Sequence, residues 1–247
     1  MTKKILTICA GLVVAAGTSS ASTTCVTTTL ATLISGGFTC SWTSVSFSTI
    51  TFGNFSLINN DDGVGGQVAP SGWAVTFLDT GTAFRITLTP GAGITETSAG
   101  TGQGQLYQFL MNYTATDVLG PGGSGAMISE VAGLTGSAQT NGSTQFVKTV
   151  KNGAGTTLGS PSDLINTTPT STATSMSTFA PQTSLTLLDS VNISSGTNAG
   201  AFATLNSFYN QLGVASAVPE PGSAVYSLFG VVLSAVGLFG KRLRNNR

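Results

Sequence analysis

The stretch WAVTFLDTGTAFRITL, Trp73 to Leu88, decides the fold class of this chain. Trp73, Val75 and Phe77 stand at every second position, Asp79-Thr80-Gly81 supplies turn chemistry, and Phe84, Ile86 and Leu88 then resume the alternation around Arg85 and Thr87. A period of two places alternate side chains on one face of a pleated strand, and two such runs joined by a polar, Gly-containing turn predict a β-hairpin.

The same signal recurs on both sides. Val45 to Ser48 begins a strand-like run whose phase changes at Thr49-Ile50, where a bulge is expected. Leu106 to Tyr113 puts Tyr107, Phe109, Met111 and Tyr113 on one face, and shorter runs follow at 126–131, 144–150 and 184–193. Breaks such as Asn59-Asn60-Asp61-Asp62-Gly63 and Gly120-Pro121-Gly122-Gly123 separate them. Residues 201–212 read as a helical face or as a last strand, with Asn206 and Ser207 favouring the strand, and the Ser/Thr/Pro-rich 160–181 reads as a mobile loop. Many short strands with such turns predict a mainly β fold, an antiparallel β-sandwich or jelly-roll-like body.

Composition bounds the partners. Of 247 residues only 7% are charged, against about 25% in an ordinary soluble domain, and the formal net charge is zero. That zero conceals an uneven distribution. Residues 22–217 hold Arg85, Lys148 and Lys151 as their cations against eight acids, a charge of about −5. A body so poor in cations does not neutralise phosphates, so nucleic acid is not an expected partner.

The remaining cations lie at the ends. Lys3 and Lys4 precede an apolar run, Ile5 to Gly17, and then the small residues Ser19-Ser20-Ala21. That order is the order of a secretory signal peptide, with Ala21 the last residue before the cut and signal peptidase the implied partner. A run of thirteen residues is short for a hydrocarbon layer of about 30 Å at 1.5 Å per residue, which favours residues 1–21 as a cleaved leader. Export leaves Cys25 and Cys40 as the thiols of an oxidising compartment, because Cys9 departs with the leader; a disulfide between them is expected. The loop it closes is worth about 3 kcal/mol in the chain-entropy account.

At the other end, Gly222 to Gly240 carries no charge and is long enough as a helix to cross a bilayer. Lys241, Arg242, Arg244 and Arg247 follow directly and hold that end in the cytoplasm by the positive-inside rule. Before the helix, Pro219 and Pro221 fix their own φ and push Val218 and Glu220 to extended geometry. Physics alone leaves a processing site and an ordinary C-terminal anchor as equal readings.

Residues 218–247 resemble the PEP-CTERM sorting signal found on exported proteins of Gram-negative bacteria that make exopolysaccharide. Val218, Pro219, Glu220 and Pro221 match its V-P-E-P motif residue by residue, and Lys241-Arg242-Leu243-Arg244 matches its basic end. The resemblance implies recognition by an exosortase-type membrane enzyme, a helix that anchors the chain until processing, and a final place at the cell surface or outside it. A fainter likeness covers Cys25, Leu33-Ile34, Gly37 and Cys40, followed by Phe47 and Asn54-Phe55, which resemble the opening of a two-Cys body type recurrent in such proteins. It implies architecture alone. Ice binding, another label met with this tail, needs Thr at fixed spacing, and the Thr clusters here share no period.

Chemistry-bearing residues are scarce. The chain has no His, which removes Ser-His and Cys-His catalysis and imidazole ligation together. Asp61, Asp62, Asp79, Glu96, Asp117, Glu130, Asp163 and Asp189 leave a carboxylate pair open, yet no spacing selects one, and solvent-facing turn positions are the simpler expectation. Lys148 and Lys151, three apart near a strand end, are likewise expected in solvent. Asn60-Asp61-Asp62-Gly63 resembles part of a Ca²⁺ loop but lacks alternating ligands and a later bidentate Glu, so a β-turn is the plainer reading and no metal or cofactor is expected. Five N-x-S/T triplets, at Asn54, Asn112, Asn141, Asn166 and Asn192, are expected by chance in so Ser/Thr-rich a chain, and no glycan is assigned to them. Trp42 and Trp73 fall in strand-like runs and are expected in the core.

The expectation is therefore a three-part chain: leader 1–21, β body 22–217 and sorting tail 218–247. Its body is read as non-enzymatic and associated with extracellular matrix or exopolysaccharide. A secreted carbohydrate-active enzyme or lectin-like binder is the alternative.

Overall fold

The computed structural model describes residues 22–44, 48–61, 69–98, 106–118, 127–166 and 170–215. The leader with Ala21, the motif Val218-Pro219-Glu220-Pro221, the apolar run after it and the basic residues Lys241, Arg242, Arg244 and Arg247 lie outside the described residues. Among those described, no helix is long and apolar enough to cross a membrane.

In chain order the elements are β1 (Ser22–Thr23), β2 (Thr28–Thr29), α1 (Leu30–Ile34), β3 (Cys40–Thr43) and β4 (Thr49–Asp61), then β5 (Trp73–Asp79), β6 (Ala83–Pro90) and β7 (Ile94–Thr97). There follow β8 (Leu106–Val118), β9 (Met127–Gln139), β10 (Ser143–Asn152), β11 (Thr157–Gly159), β12 (Ser162–Ile165), β13 (Ser171–Gln182), β14 (Ser184–Ser194) and β15 (Phe202–Val214). They form two antiparallel sheets that close on each other as a sandwich. The first runs β1-β3-β4-β8-β14-β10-β11, with β12 also on β10; the second runs β13-β9-β15-β6-β5-β2, with β7 also on β15. From β8 onward the long strands alternate between sheets, so strands distant in sequence become neighbours.

The opening hairpin is β5–β6, paired from Trp73↔Pro90 to Asp79↔Phe84. Its turn is held by Asp79, whose Oδ1 accepts from the Gly81 N–H at 2.7 Å. Trp73, Val75, Phe84, Ile86 and Leu88 are buried, as the alternation requires. Aromatic rings from the two sheets meet across the interior. Trp73 packs 4.9 Å from Phe109, Phe146 lies 4.9 Å from Phe208, and Phe84 stacks on both Trp42 and Phe52. Both tryptophans are fully buried.

Cys25 and Cys40 form the expected disulfide, with Cα atoms 4.9 Å apart, joining the segment before α1 to β3.

Strand pairing bears on three local expectations. Val45 to Phe47 of the first run lie outside the described residues, and β4 pairs without a shift from Thr49 to Gly53; its register first shifts at Gly53–Ser56, where Asn54 adopts φ 55°. Asn tolerates that left-handed geometry, and its Nδ2 donates to Thr114 Oγ1 of β8 at 3.1 Å. Most of 160–181 is strand instead of mobile loop: β12 pairs with β10 and β13 with β9. Its Ser/Thr-rich alternation carries no hydrophobic signal because β13 is an edge strand, with Pro181 next to its last residue, where a missing N–H costs no ladder bond. Residues 201–212 fall almost wholly in β15, a strand as favoured, and a register shift between Leu205 and Ser207 accommodates Asn206 and Ser207.

Candidate functional site

Five polar side chains meet inside the apolar core. Lys148 on β10, Asp189 on β14 and Tyr113 on β8 come from the first sheet, and Glu130 on β9 and Asn210 on β15 come from the second. None exposes more than 2% of its surface. Lys148 and Asp189 are direct cross-strand partners, and Lys148 Nζ donates to Asp189 Oδ1 at 2.8 Å. The same nitrogen donates to Tyr113 Oη at 2.8 Å and to Asn210 Oδ1 at 3.0 Å, and Glu130 Oε1 lies 3.3 Å away. Asn210 Nδ2 donates to Asp189 Oδ2 at 2.6 Å. Lys148 thus spends its three donors on groups from both sheets.

Strand alternation puts these residues inside. Lys148 is in phase with buried Phe146 and Val150, Asp189 with Leu187 and Val191, Glu130 with Ala132, and Asn210 with Phe208 and Leu212. Lys148 is therefore not a solvated strand-end residue, and Glu130 and Asp189 are not turn residues. Glu96, Asp117 and Asp163 are also buried. Asp79, the last residue of β5, does hold a turn.

Burial governs the electrostatics. It pushes the Glu130 carboxyl from 4.5 to about 7; Lys148 draws it partly back, while Asp189 pushes it further up. Asp189 is also raised by burial, against the pull of Lys148 and of the hydrogen bonds from Lys148 and Asn210. Tyr113 is held well above 10 by burial and then by the two carboxylates, so its phenol keeps its proton. Glu130 Oε2 has no hydrogen-bond partner. None of the five side chains reaches the surface. Their chemistry is confined to one another.

The outer face of the second sheet is a different kind of surface. The register aligns Thr76, Thr87, Tyr209, Gly133 and Thr174 in one row across β5, β6, β15, β9 and β13, and Leu78, Arg85, Gln211, Val131 and Met176 in the next. The Tyr209 ring lies across Gly133, where any Cβ would collide with the ring. The Arg85 guanidinium sits 4.0 Å from the ring centroid, and its Nε and Nη2 donate to Gln211 Oε1 at 3.0 and 2.7 Å. One planar cation is thereby fixed on a face otherwise made largely of hydroxyl and apolar groups. Thr135 with Thr172, and Thr95 with Thr204, share hydroxyl hydrogen bonds on the same side.

Asn60-Asp61-Asp62-Gly63 lies partly outside the described residues, and among those described no three His, Cys, Asp or Glu side chains gather as a metal site.

No family model and no curated protein matches the chain. Solved structures similar to parts of it include the TmCBM61 module in complex with beta-1,4-galactotriose, at 13% identity and a TM-score of 0.27, over 59% of this chain and 90% of that one. The CBM22-1 xylan-binding domain of Paenibacillus barcinonensis Xyn10C matches at 13% identity and 0.24, over 65% and 86%. An infectious bursal disease virus structure matches at 12% and 0.33, over 74% of this chain and 42% of that one.

Proposed function

We propose that this chain is an exported, non-enzymatic β-sandwich protein that associates with extracellular polysaccharide through the outer face of its second sheet. The row of Thr hydroxyls around Tyr209, Arg85 and Gln211 carries the reading. Hydroxyls donate and accept, a fixed guanidinium offers planar donors, and a ring edge offers apolar area, which together suit a hydrated, hydroxyl-rich polymer met over a broad surface. Burial of Glu96, Asp117, Glu130, Asp163 and Asp189 supports a role without turnover, since carboxylate hydrolysis needs a pair that reaches substrate.

Binding of the mature protein to the exopolysaccharide of its own host tests this. Tyr209→Ala with Arg85→Ala should weaken retention by about tenfold, the equivalent of ~1.4 kcal/mol, while leaving the thermal transition cooperative. Equal retention of variant and parent, or release of reducing sugar by the parent, would reject the reading.

The proposed route to the outside rests on residues 218–247. With Pro219 and Glu220 both changed to Ala, a tagged chain should stay in the membrane fraction while the parent is shortened and released. Unchanged processing of the variant would remove the exosortase-type enzyme from the proposal and leave an ordinary anchor.

A further inference from the structure

The buried cluster holds more than an ion pair. An amine, a carboxamide and a carboxylate that touches both are enclosed where water does not compete, and these are the parts of an acyl transfer. We propose that Lys148 and Asn210 join in an internal isopeptide bond, Nζ to Cγ, with release of ammonium and with Asp189 as the proton carrier.

Each part of the reaction has its group in place. Lys148 Nζ, the nucleophile, stands 3.0 Å from Oδ1 of the Asn210 carboxamide, whose carbon is the electrophile. Proximity of this kind converts an unfavourable bimolecular amide exchange into a unimolecular one, and effective molarities of about 10⁵ M or more are reached by well-placed pairs. Asp189 spans the two nitrogens, Oδ1 on Nζ at 2.8 Å and Oδ2 on Asn210 Nδ2 at 2.6 Å. It takes a proton from the ammonium, which frees the lone pair to attack Cγ. The Nζ–Cγ bond forms, Asp189 relays protons from Nζ to Nδ2, and the Cγ–Nδ2 bond breaks as the carbonyl re-forms. One ammonium and one secondary amide result, and the two protons lost by Nζ are those gained by Nδ2. No oxidant or other reactant is needed.

Asn210 is a better acceptor than Asp189, although both touch the amine. A carboxylate resists attack because its carbon is shielded by negative charge, whereas a carboxamide is neutral and its nitrogen departs once protonated. The environment also favours the product. A buried ammonium carries a desolvation penalty that a neutral amide does not. Lys148 is on β10 of the first sheet and Asn210 on β15 of the second, so the bond would tie the two layers through the centre of the sandwich. That is a useful staple for a protein with one disulfide near its N-terminal side and a life outside the cell.

Intact mass of the folded mature protein, followed by protease mapping, tests the proposal. The expected mass is lower than the sequence mass by one ammonia, beyond the two hydrogens of the disulfide. The expected map contains a branched peptide joining the segment around Lys148 to that around Asn210. Lys148→Met and Asp189→Asn should each restore the ammonia; the parent held in denaturant from synthesis onward should also keep it. A folded parent with full mass after prolonged incubation overturns the proposal. So does an ammonia deficit without a branch, which marks a succinimide elsewhere, or a water deficit with a branch from Lys148 to Asp189. An Asp189→Asn chain that folds and still forms the Lys148–Asn210 branch removes Asp189 as proton carrier.

Discussion

Lys148→Met will lower the stability of the body by about 3–5 kcal/mol, the range for removing one partner of a buried ion pair. The side chain lost is nearly isosteric, so packing is not the cause. Asp189 loses its cation, and Glu130 Oε1, Tyr113 Oη and Asn210 Oδ1 lose a donor at the same time. No water reaches them, since the cluster is closed on both faces by the sheets. If Lys148 is already joined to Asn210, the same substitution also removes the tie between the layers, and the loss lies at the upper end. The informative control replaces the polar set together: Lys148→Met with Asp189→Val, Glu130→Leu and Asn210→Leu. Buried ion pairs exchanged for apolar residues of similar volume are often neutral, so most of the loss should return. Denaturant unfolding of the three proteins measures both numbers. A single variant within 1 kcal/mol of the parent, on the scale of exposed pairs, would show that the cluster is solvated.

What the sequence revealed and hid follows from one physical signal. Alternation located β5, β6 and β8 because their apolar residues outnumber the interruptions on the inward phase. The same signal contained the cluster. Lys148 interrupts Phe146 and Val150, and Asp189 interrupts Leu187 and Val191, on a phase otherwise reserved for the core. Reading charges as solvent markers placed both outside. Four polar residues on the inward phase of four strands should instead suggest that they meet, since each alone would be a costly buried group. Which strands are neighbours was not legible, because β10–β14 and β9–β15 pair residues about forty and seventy-five positions apart, with two or more strands between them in the chain. The outer face of the second sheet was hidden for the opposite reason. Its Thr residues show no period along the chain, and become a row only when the register sets five strands side by side.

The fold will also lose stability as pH rises from about 4.5 to about 7, the reverse of a protein held by surface carboxylates. Glu130 ionises at 4.5 when the chain is unfolded and at about 7 when burial holds it between the sheets. Within that window the folded state binds the proton that the unfolded state has released, so each step up in pH favours unfolding. Below it both states are protonated and the penalty vanishes. Above it the full difference is present, about 3 kcal/mol at 1.36 kcal/mol per unit for a group with no solvent screening. Asp189 is raised in the same sense from 3.8, which adds to the fall. Loss of the Lys148 charge by joining it to Asn210 would withdraw the main pull on Glu130 and extend the fall to higher pH, without changing its sign. Glu130→Gln keeps the shape and removes the titration, so its unfolding free energy should fall less steeply than the parent's over this window. Urea unfolding at several pH values reads the slope directly. A parent that gains stability between pH 4.5 and 7, or a Glu130→Gln variant with the parent's slope, would place the Glu130 carboxyl in water.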